Sequence, residues 1–191
     1  MQNKIPVYLL FIDVEKSCYF ISADEWDFPF RGKPIPKNFN LPPHVLEPKK
    51  LPIRDFVEGV EFILVSQNAY NSLQLLVKEH AEFISIGKLR GKHYYLMNVL
   101  SIVDCLDIDK SKVNFDRKPG FSSVSWAGFI PEKVPEYPIF KVPQDRYHIF
   151  VTQPFVDCIR INKLSGIGFS DPSLPIIGSR EPFFDDLPIL F

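Results

Sequence analysis

Tyr94-Tyr95-Leu96-Met97-Asn98-Val99-Leu100-Ser101-Ile102-Val103 is apolar on both alternating faces except at Asn98 and Ser101. A strand without a polar face has to be covered above and below, so this run predicts an interior strand around which the rest is arranged. Before it, Phe62-Ile63-Leu64-Val65 reads as a buried strand and Ser66 as a helix N-cap, and Ala69, Leu73, Leu76, Val77 and His80 recur at helical spacing up to about Ala81. Phe83 to Ile86 then reads as a returning strand. After the central run, Ile149-Phe150-Val151-Thr152-Gln153 repeats the pattern Ile63-Leu64-Val65-Ser66-Gln67, with a hydroxyl at the same cap position. Pro154 falls in the first helical turn, where its missing N–H costs nothing, and a helix to about Lys163 follows. Ser165-Gly166 supplies a left-handed stop, and Ile167 to Phe169 matches the return strand. Hydroxyl-capped helices after apolar strands are common, so internal repetition and coincidence both stand as readings of this pattern.

Between these units Asp104 to Lys110 predicts a turn, Lys112 to Asp116 an antiparallel return, and the Pro, Gly and Ser of 117–138 a long loop whose Trp126 and Phe129 need a surface to cover. The first 60 residues hold eight prolines, each of which removes a backbone donor and disfavours helix in the residue before it. Beyond a first strand near Val7 to Val14, that region predicts extended segments and turns that wrap another part of the chain. From Asp171 the tail carries four prolines beside Phe183, Phe184 and Phe191, which predicts that it docks on the body. The expected architecture is α+β, one domain over 1–191 with a mixed or mostly antiparallel sheet and two main helices at about 67–80 and 153–163. Residues 1–60 form the extended N-terminal wrap, 61–170 a core with two strand-helix-strand units, and 171–191 the docked proline-rich tail.

A chain of 191 residues and 22.1 kDa fits that scale. Its 46% hydrophobic and 24% charged residues argue against wholesale disorder. With 22 Lys and Arg against 23 Asp and Glu, no global field draws the chain to nucleic acid or anionic lipid, so neither is expected as a partner. The longest early apolar run, Val7 to Ile12, is too short for a signal-peptide core or a membrane span. Cys18, Cys105 and Cys158 are odd in number and widely spaced, which fits buried thiols in a reducing cytoplasm better than a disulfide framework.

The usual carriers of chemistry are missing. There is no strand-linked G-x-G-x-x-G, no G-x-x-x-x-G-K-[ST] and no G-x-S-x-G. His44, His80, His93 and His148 stand far apart with no zinc spacing, so no metal or other cofactor is expected. His80, near a helix end, reads as a cap for carbonyls or a partner of the helix dipole. Asp104, Asp107 and Asp109 invite a calcium reading, but an EF-hand loop begun at Asp107 puts Lys112 where the turn glycine belongs and Lys118 where a bidentate Glu belongs. Gly87-Lys88-Leu89-Arg90-Gly91-Lys92 could grip phosphate and reads better as a charged hairpin. Asp24-Glu25-Trp26-Asp27-Phe28 combines large aromatics with an acidic rim, the composition of a protein-contact anchor and equally of a local core plug; Asp185-Asp186 behind Phe183-Phe184 allows the same two readings.

Several of these segments together carry a resemblance. Asp55-Phe56 and Leu64-Val65-Ser66 with its helix, the run Tyr95-x-x-Asn98-Val99-Leu100-x-x-Val103-Asp104-Cys105-Leu106-Asp107, Ile139-Phe140, and Val151-Thr152 with Gly166-Ile167-Gly168-Phe169 resemble immunity-protein family eleven of bacterial polymorphic toxin systems. The likeness spans about Trp26 to Phe169; the tail after Asp171 and the loop from Arg117 to Tyr137 depart from it. It implies a cytoplasmic bacterial protein, encoded beside a toxin used in interbacterial competition, that protects its owner by binding that toxin and brings no catalytic residues. None of the shared residues is carried over as a contact site. The expected contacts are Asp24, Glu25, Trp26 and Asp27. The alternatives are a general protein-binding or homodimeric module, and a small enzyme whose nearest candidate groups are Asp104, Asp107 and His93.

Overall fold

The computed structural model describes residues 5–22, 30, 32–41, 43–59, 62–115 and 122–173. Twelve strands and two helices are ordered β1 (Val7–Ile12), β2 (Tyr19–Ser22), β3 (His44–Glu47), β4 (Phe56–Glu58), β5 (Ile63–Ser66), α1 (Gln67–Val77), β6 (Ala81–Leu89), β7 (Lys92–Val99), β8 (Leu106–Phe115), β9 (Ser122–Phe129), β10 (Ile139–Val142), β11 (Asp145–Thr152), α2 (Gln153–Ile161) and β12 (Ile167–Ser170). The fold is α+β, with its strands in several sheets and paired antiparallel.

Two sheets have four strands each, in the orders β4-β5-β7-β6 and β10-β11-β1-β12. They are built to one plan. In each, a helix leads from one strand to another parallel to it, across an inserted antiparallel strand: β7 between β5 and β6, β1 between β11 and β12. The registers coincide. Ser66 and Thr152, the two cap residues, face Tyr94 and Val7, and the next residues pair in step, Val65 with Tyr95 and Val151 with Tyr8. Phe56 faces Val65 as Ile139 faces Val151. Side chains repeat as well: Tyr95 donates to Gln67 Oε1 at 2.8 Å and Tyr8 to Gln153 Oε1 at 2.6 Å. Each Gln then donates one turn along its helix, to Asn71 at 2.9 Å and to Asp157 at 2.7 Å. Read along the chain, β1 to β6 and β7 to β12 are two copies of one order of elements, and each copy's first strand is inserted into the other copy's sheet.

Alternation divides the apolar side chains into one shared core and two outer ones. Leu10, Ile63, Val65, Met97, Ile149 and Val151 face the shared core, where Ala69, Leu73 and Val77 of α1 meet Phe155, Val156 and Ile159 of α2. The opposite faces differ in cover. Leu64, Tyr94 and Leu96 lie under Phe20 of β2 and Ile35, while Leu9, Phe140 and Phe150 lie under Leu106, Val124 and Ala127 of the β8–β9 pair. The helices touch where Cys158 Sγ donates to the Ser72 carbonyl at 3.4 Å.

Several local expectations need correction. The strand expected to reach Val103 ends at Val99. The next residues cross to the second sheet, where Lys141 N donates to the Ser101 carbonyl and Val103 N to the Lys141 carbonyl, both at 2.8 Å. Asp107 to Lys110 belong to a strand that bulges before Lys112, and β8 pairs with β9 rather than returning on β7. The expected loop over 117–138 contains β9 and a short 3₁₀ turn at Pro131–Lys133. Trp126 lies under the Lys112 ammonium at 5.2 Å, and Phe129 packs edge-on against Phe150 at 5.2 Å. Both helices stop before their expected ends, and His80 caps α1 through its backbone and not its ring: its N–H donates to the Val77 carbonyl at 2.8 Å, its own carbonyl accepts from Leu100 N, and its ring stacks on Tyr137 at 4.2 Å. At the tail's start, the Pro172 carbonyl accepts from Ala127 N at 2.6 Å; the tail from 174 onward lies outside the described residues.

Candidate partner-binding surface

The β6–β7 hairpin turns on Arg90 (φ 48°) and Gly91 (φ 82°), two consecutive residues with positive φ, the requirement of a tight turn matched to strand twist. Gly91 adopts that conformation without strain. The hairpin presents Lys88, Arg90 and Lys92 to solvent. Arg90 Nη1 reaches the Leu51 carbonyl at 2.5 Å, which ties the tip to the segment before β4. From residue 83 to 103 the sequence contains no Asp or Glu, so no carboxylate of that stretch offsets these cations. In the strand order, β6 is an edge. Its start is engaged from outside β7, where Ile35 N donates to Glu82 Oε1 at 2.6 Å and Tyr70 of α1 packs edge-on against Phe83 at 5.2 Å; the same Glu82 oxygen accepts from Asn98 Nδ2 of β7 at 2.8 Å.

Beside the hairpin, at the start of α1, an open cleft of about 560 Å³ is lined by Arg54, Asp55, Ser66, Gln67, Lys88, Lys92 and His93. Its one carboxylate is already occupied. Asp55 Oδ1 accepts from Ser66 Oγ at 2.7 Å, and Oδ2 accepts from Ser165 N at 3.0 Å and Ser165 Oγ at 2.8 Å. Burial pushes the Asp55 carboxyl up, but these hydrogen bonds outweigh it and hold the group below the ordinary carboxylate range. Ser66 Oγ in turn accepts from Ala69 N at 3.2 Å. Asp55 is thus a clasp that joins β4, the α1 cap and the chain before β12. Gly166 (φ 89°) is required there: a Cβ would lie 2.5 Å from the Phe56 carbonyl oxygen.

The residues expected to make contact, Asp24, Glu25, Trp26 and Asp27, lie outside the described residues, as do Asp185 and Asp186. The candidate catalytic groups are not brought together. His93 sits at the hairpin end of β7 with Ser85 Oγ at 2.8 Å, whereas Asp104 and Asp107 follow the far end of that strand, Asp107 paired with Lys110 Nζ at 2.8 Å. Cys105 is buried, and burial pushes its thiol up to about 12; burial also raises Cys18 and Cys158. None of the three is poised as a nucleophile. Among the described residues, no three His, Cys, Asp or Glu side chains gather to hold a metal ion, and no helix is long and apolar enough to cross a membrane.

Two features escape a linear reading. Asp145, wholly buried, accepts from Val124 N at 2.8 Å, from Tyr147 N and His148 N at 3.0 Å, and from His148 Nδ1 at 2.6 Å. Burial pushes it up, and the His148 contact and backbone donors outweigh that and hold it down. It locks the β10–β11 turn to β9; the only trace in sequence is Asp and His three residues apart after a Pro-Gln turn. The second feature is a matched pair of exposed aliphatic residues, Leu75 on α1 at 79% and Ile161 on α2 at 78%, which hold equivalent places in the two units.

The arrangement is one of closed internal polar clusters and an open, cationic sheet edge, without a reactive centre among the described residues. The family model of the Immunity protein family (Imm11) matches residues 14–173, and the chain belongs to that family. No curated protein matches it.

Proposed function

We propose that the chain neutralises a cognate bacterial toxin by binding it in the cytoplasm of the cell that makes both, and that it transforms no substrate itself. Membership of the Imm11 family carries this reading. The chemistry of the described residues supports it: Asp55 and Asp145 are filled by internal donors, and the three thiols are raised by burial. Binding would block the toxin through an interface of about 1,600 Å² in total, with aromatic anchors supplying affinity and rim charges setting the association rate. Trp26, with Asp24, Glu25 and Asp27 beside it in the sequence, is the proposed anchor.

Co-expression with the toxin gene beside it tests the reading. Survival and a co-purifying complex are expected, and death of cells that hold ample amounts of the chain would end it. Trp26→Ala should weaken the complex about 30-fold if this residue is a hot spot. Unchanged affinity in Trp26→Ala and in an Asp24/Asp27 double replacement would remove that anchor and leave the function standing.

A further inference from the structure

We infer that the outer edge of β6, with the cationic hairpin that ends it, receives an extended acidic segment of the toxin as an added strand; this rests on the toxin-binding reading above. The four outer strands of the two large sheets are unequal. β4 has three residues, β10 four and β12 four, but β6 has nine. Every second residue of an edge strand turns its N–H and C=O away from its neighbour, which makes such an edge a template for another strand. Past Glu82, no described residue outside β7 makes a backbone hydrogen bond to β6. Phe83, Ile84, Ile86 and Leu89 are only half-buried there, so apolar side chains of an added strand would find cover on both faces.

Charge identifies the occupant. Lys88, Arg90 and Lys92 stand at the open end of the edge with no carboxylate in 83–103, so an incoming strand with Asp or Glu toward that end is attracted and a basic one repelled. A second copy offers the same cationic edge, whose one carboxylate, Glu82, is already held by Ile35 N and Asn98. The shift in register between Ser85 and Gly87, a bulge on the edge, works against indiscriminate pairing in the same way that Lys88 does.

Hydrogen exchange on the full chain, free and mixed with the toxin domain encoded beside it, tests this together with titrations of variants. Amides of 83–89 should slow at least about tenfold in the complex, as newly paired strand amides do, while those of β8 and β9 stay as they were. The charge reversal Lys88→Glu/Arg90→Glu/Lys92→Glu should weaken binding about 100-fold, with the loss shrinking at high salt. Lys110→Glu/Lys133→Glu, on the outer side of the other sheet, should bind as the parent does, and melting temperatures should identify any variant that fails by misfolding. A complex that forms with β6 unprotected and with full affinity in the triple variant overturns the inference and leaves toxin binding intact. Concentration-dependent protection of β6 in the free chain overturns it in favour of a second copy. No complex with the unaltered chain removes the toxin-binding reading and this inference with it.

Discussion

In the first large sheet the inserted strand β7 arrives from β6 through two residues, Arg90 and Gly91; in the second, β1 arrives from the opposite end of the chain, and its Tyr8 bonds a glutamine 145 residues away. The registers and the Tyr–Gln pairs are nevertheless the same. Two copies of one topology have therefore been closed by different routes, one local and one that ties the ends of the fold together. A local hairpin costs little loop entropy, whereas a strand returned across the whole chain costs more and must be held by its own burial. Closure by hairpin also leaves β6 five residues longer than β12, nine against four, and so creates the one long edge of the two sheets.

The comparison breaks first at β1. Deleting residues 1–13 removes Leu9, Leu10 and Ile12 from the interior. At about 1.5–3 kcal/mol for each buried side chain the three amount to about 4.5–9 kcal/mol, comparable with the roughly 5–15 kcal/mol that holds a whole domain folded, so the second sheet should not form. If the two closures are equivalent, appending residues 6–14 after Ser173 through a short glycine-rich turn should restore a cooperative melt followed by circular dichroism. Failure of that permutant with soluble, helical protein would show that the routes are not interchangeable.

The two hydrogen-bonded carboxylates give the next effect. Asp145 and Asp55 both lie below the ordinary carboxylate range when folded, so the unfolded chain takes up their protons first on acidification. Their contribution is complete above the unfolded value near about 4 and is lost as pH falls through the folded values. Asp145→Asn should cost about 1–3 kcal/mol at pH 7 and flatten the acid limb of a urea-midpoint profile more than Asp55→Asn, because Asp145 is wholly buried. Equal limbs for both variants and the parent would contradict the assignment.

The helix starts sharpen the comparison further. Ser66 Oγ caps Ala69 N, whereas Thr152 makes no cap bond and its Oγ1 donates to the Tyr137 carbonyl at 2.8 Å. Ser66→Ala should cost about 1–2 kcal/mol and Thr152→Ala about 1 kcal/mol in denaturant midpoints. The smallest effect is the most symmetric: Tyr95→Phe and Tyr8→Phe should each cost about 0.5–1.5 kcal/mol and differ little from one another.

What a linear reading reaches follows from the range of the forces. The starts of α1 and α2 were legible because a cap residue, a proline in the first turn and helical spacing act over a few residues. The end of α1 was overrun because His80 continues the apolar spacing while its carbonyl is claimed by Leu100, just past the end of β7. β9 was hidden among Gly and Ser because its pairing with β8 and the grip of Asp145 on Val124 come from elsewhere in the chain. Asp107 and Asp109 looked like a turn, and they sit on a strand that bulges before Lys112. The basic run 87–92 was legible as a hairpin, but its place on a free edge depends on strand order, which no local pattern carries. The expected anchor Asp24 to Asp27 lies outside the described residues and stays a proposal.

Titrating the purified chain into a fixed amount of the purified toxin proposed as its partner, with toxin activity as the readout, tests the central claim most directly. Neutralisation by binding predicts a straight fall in activity that reaches its floor at a fixed stoichiometric ratio, with the toxin recovered intact and active once the two are separated. Activity that persists at large excess, or that is destroyed by a small fraction of an equivalent and does not return, would contradict the account.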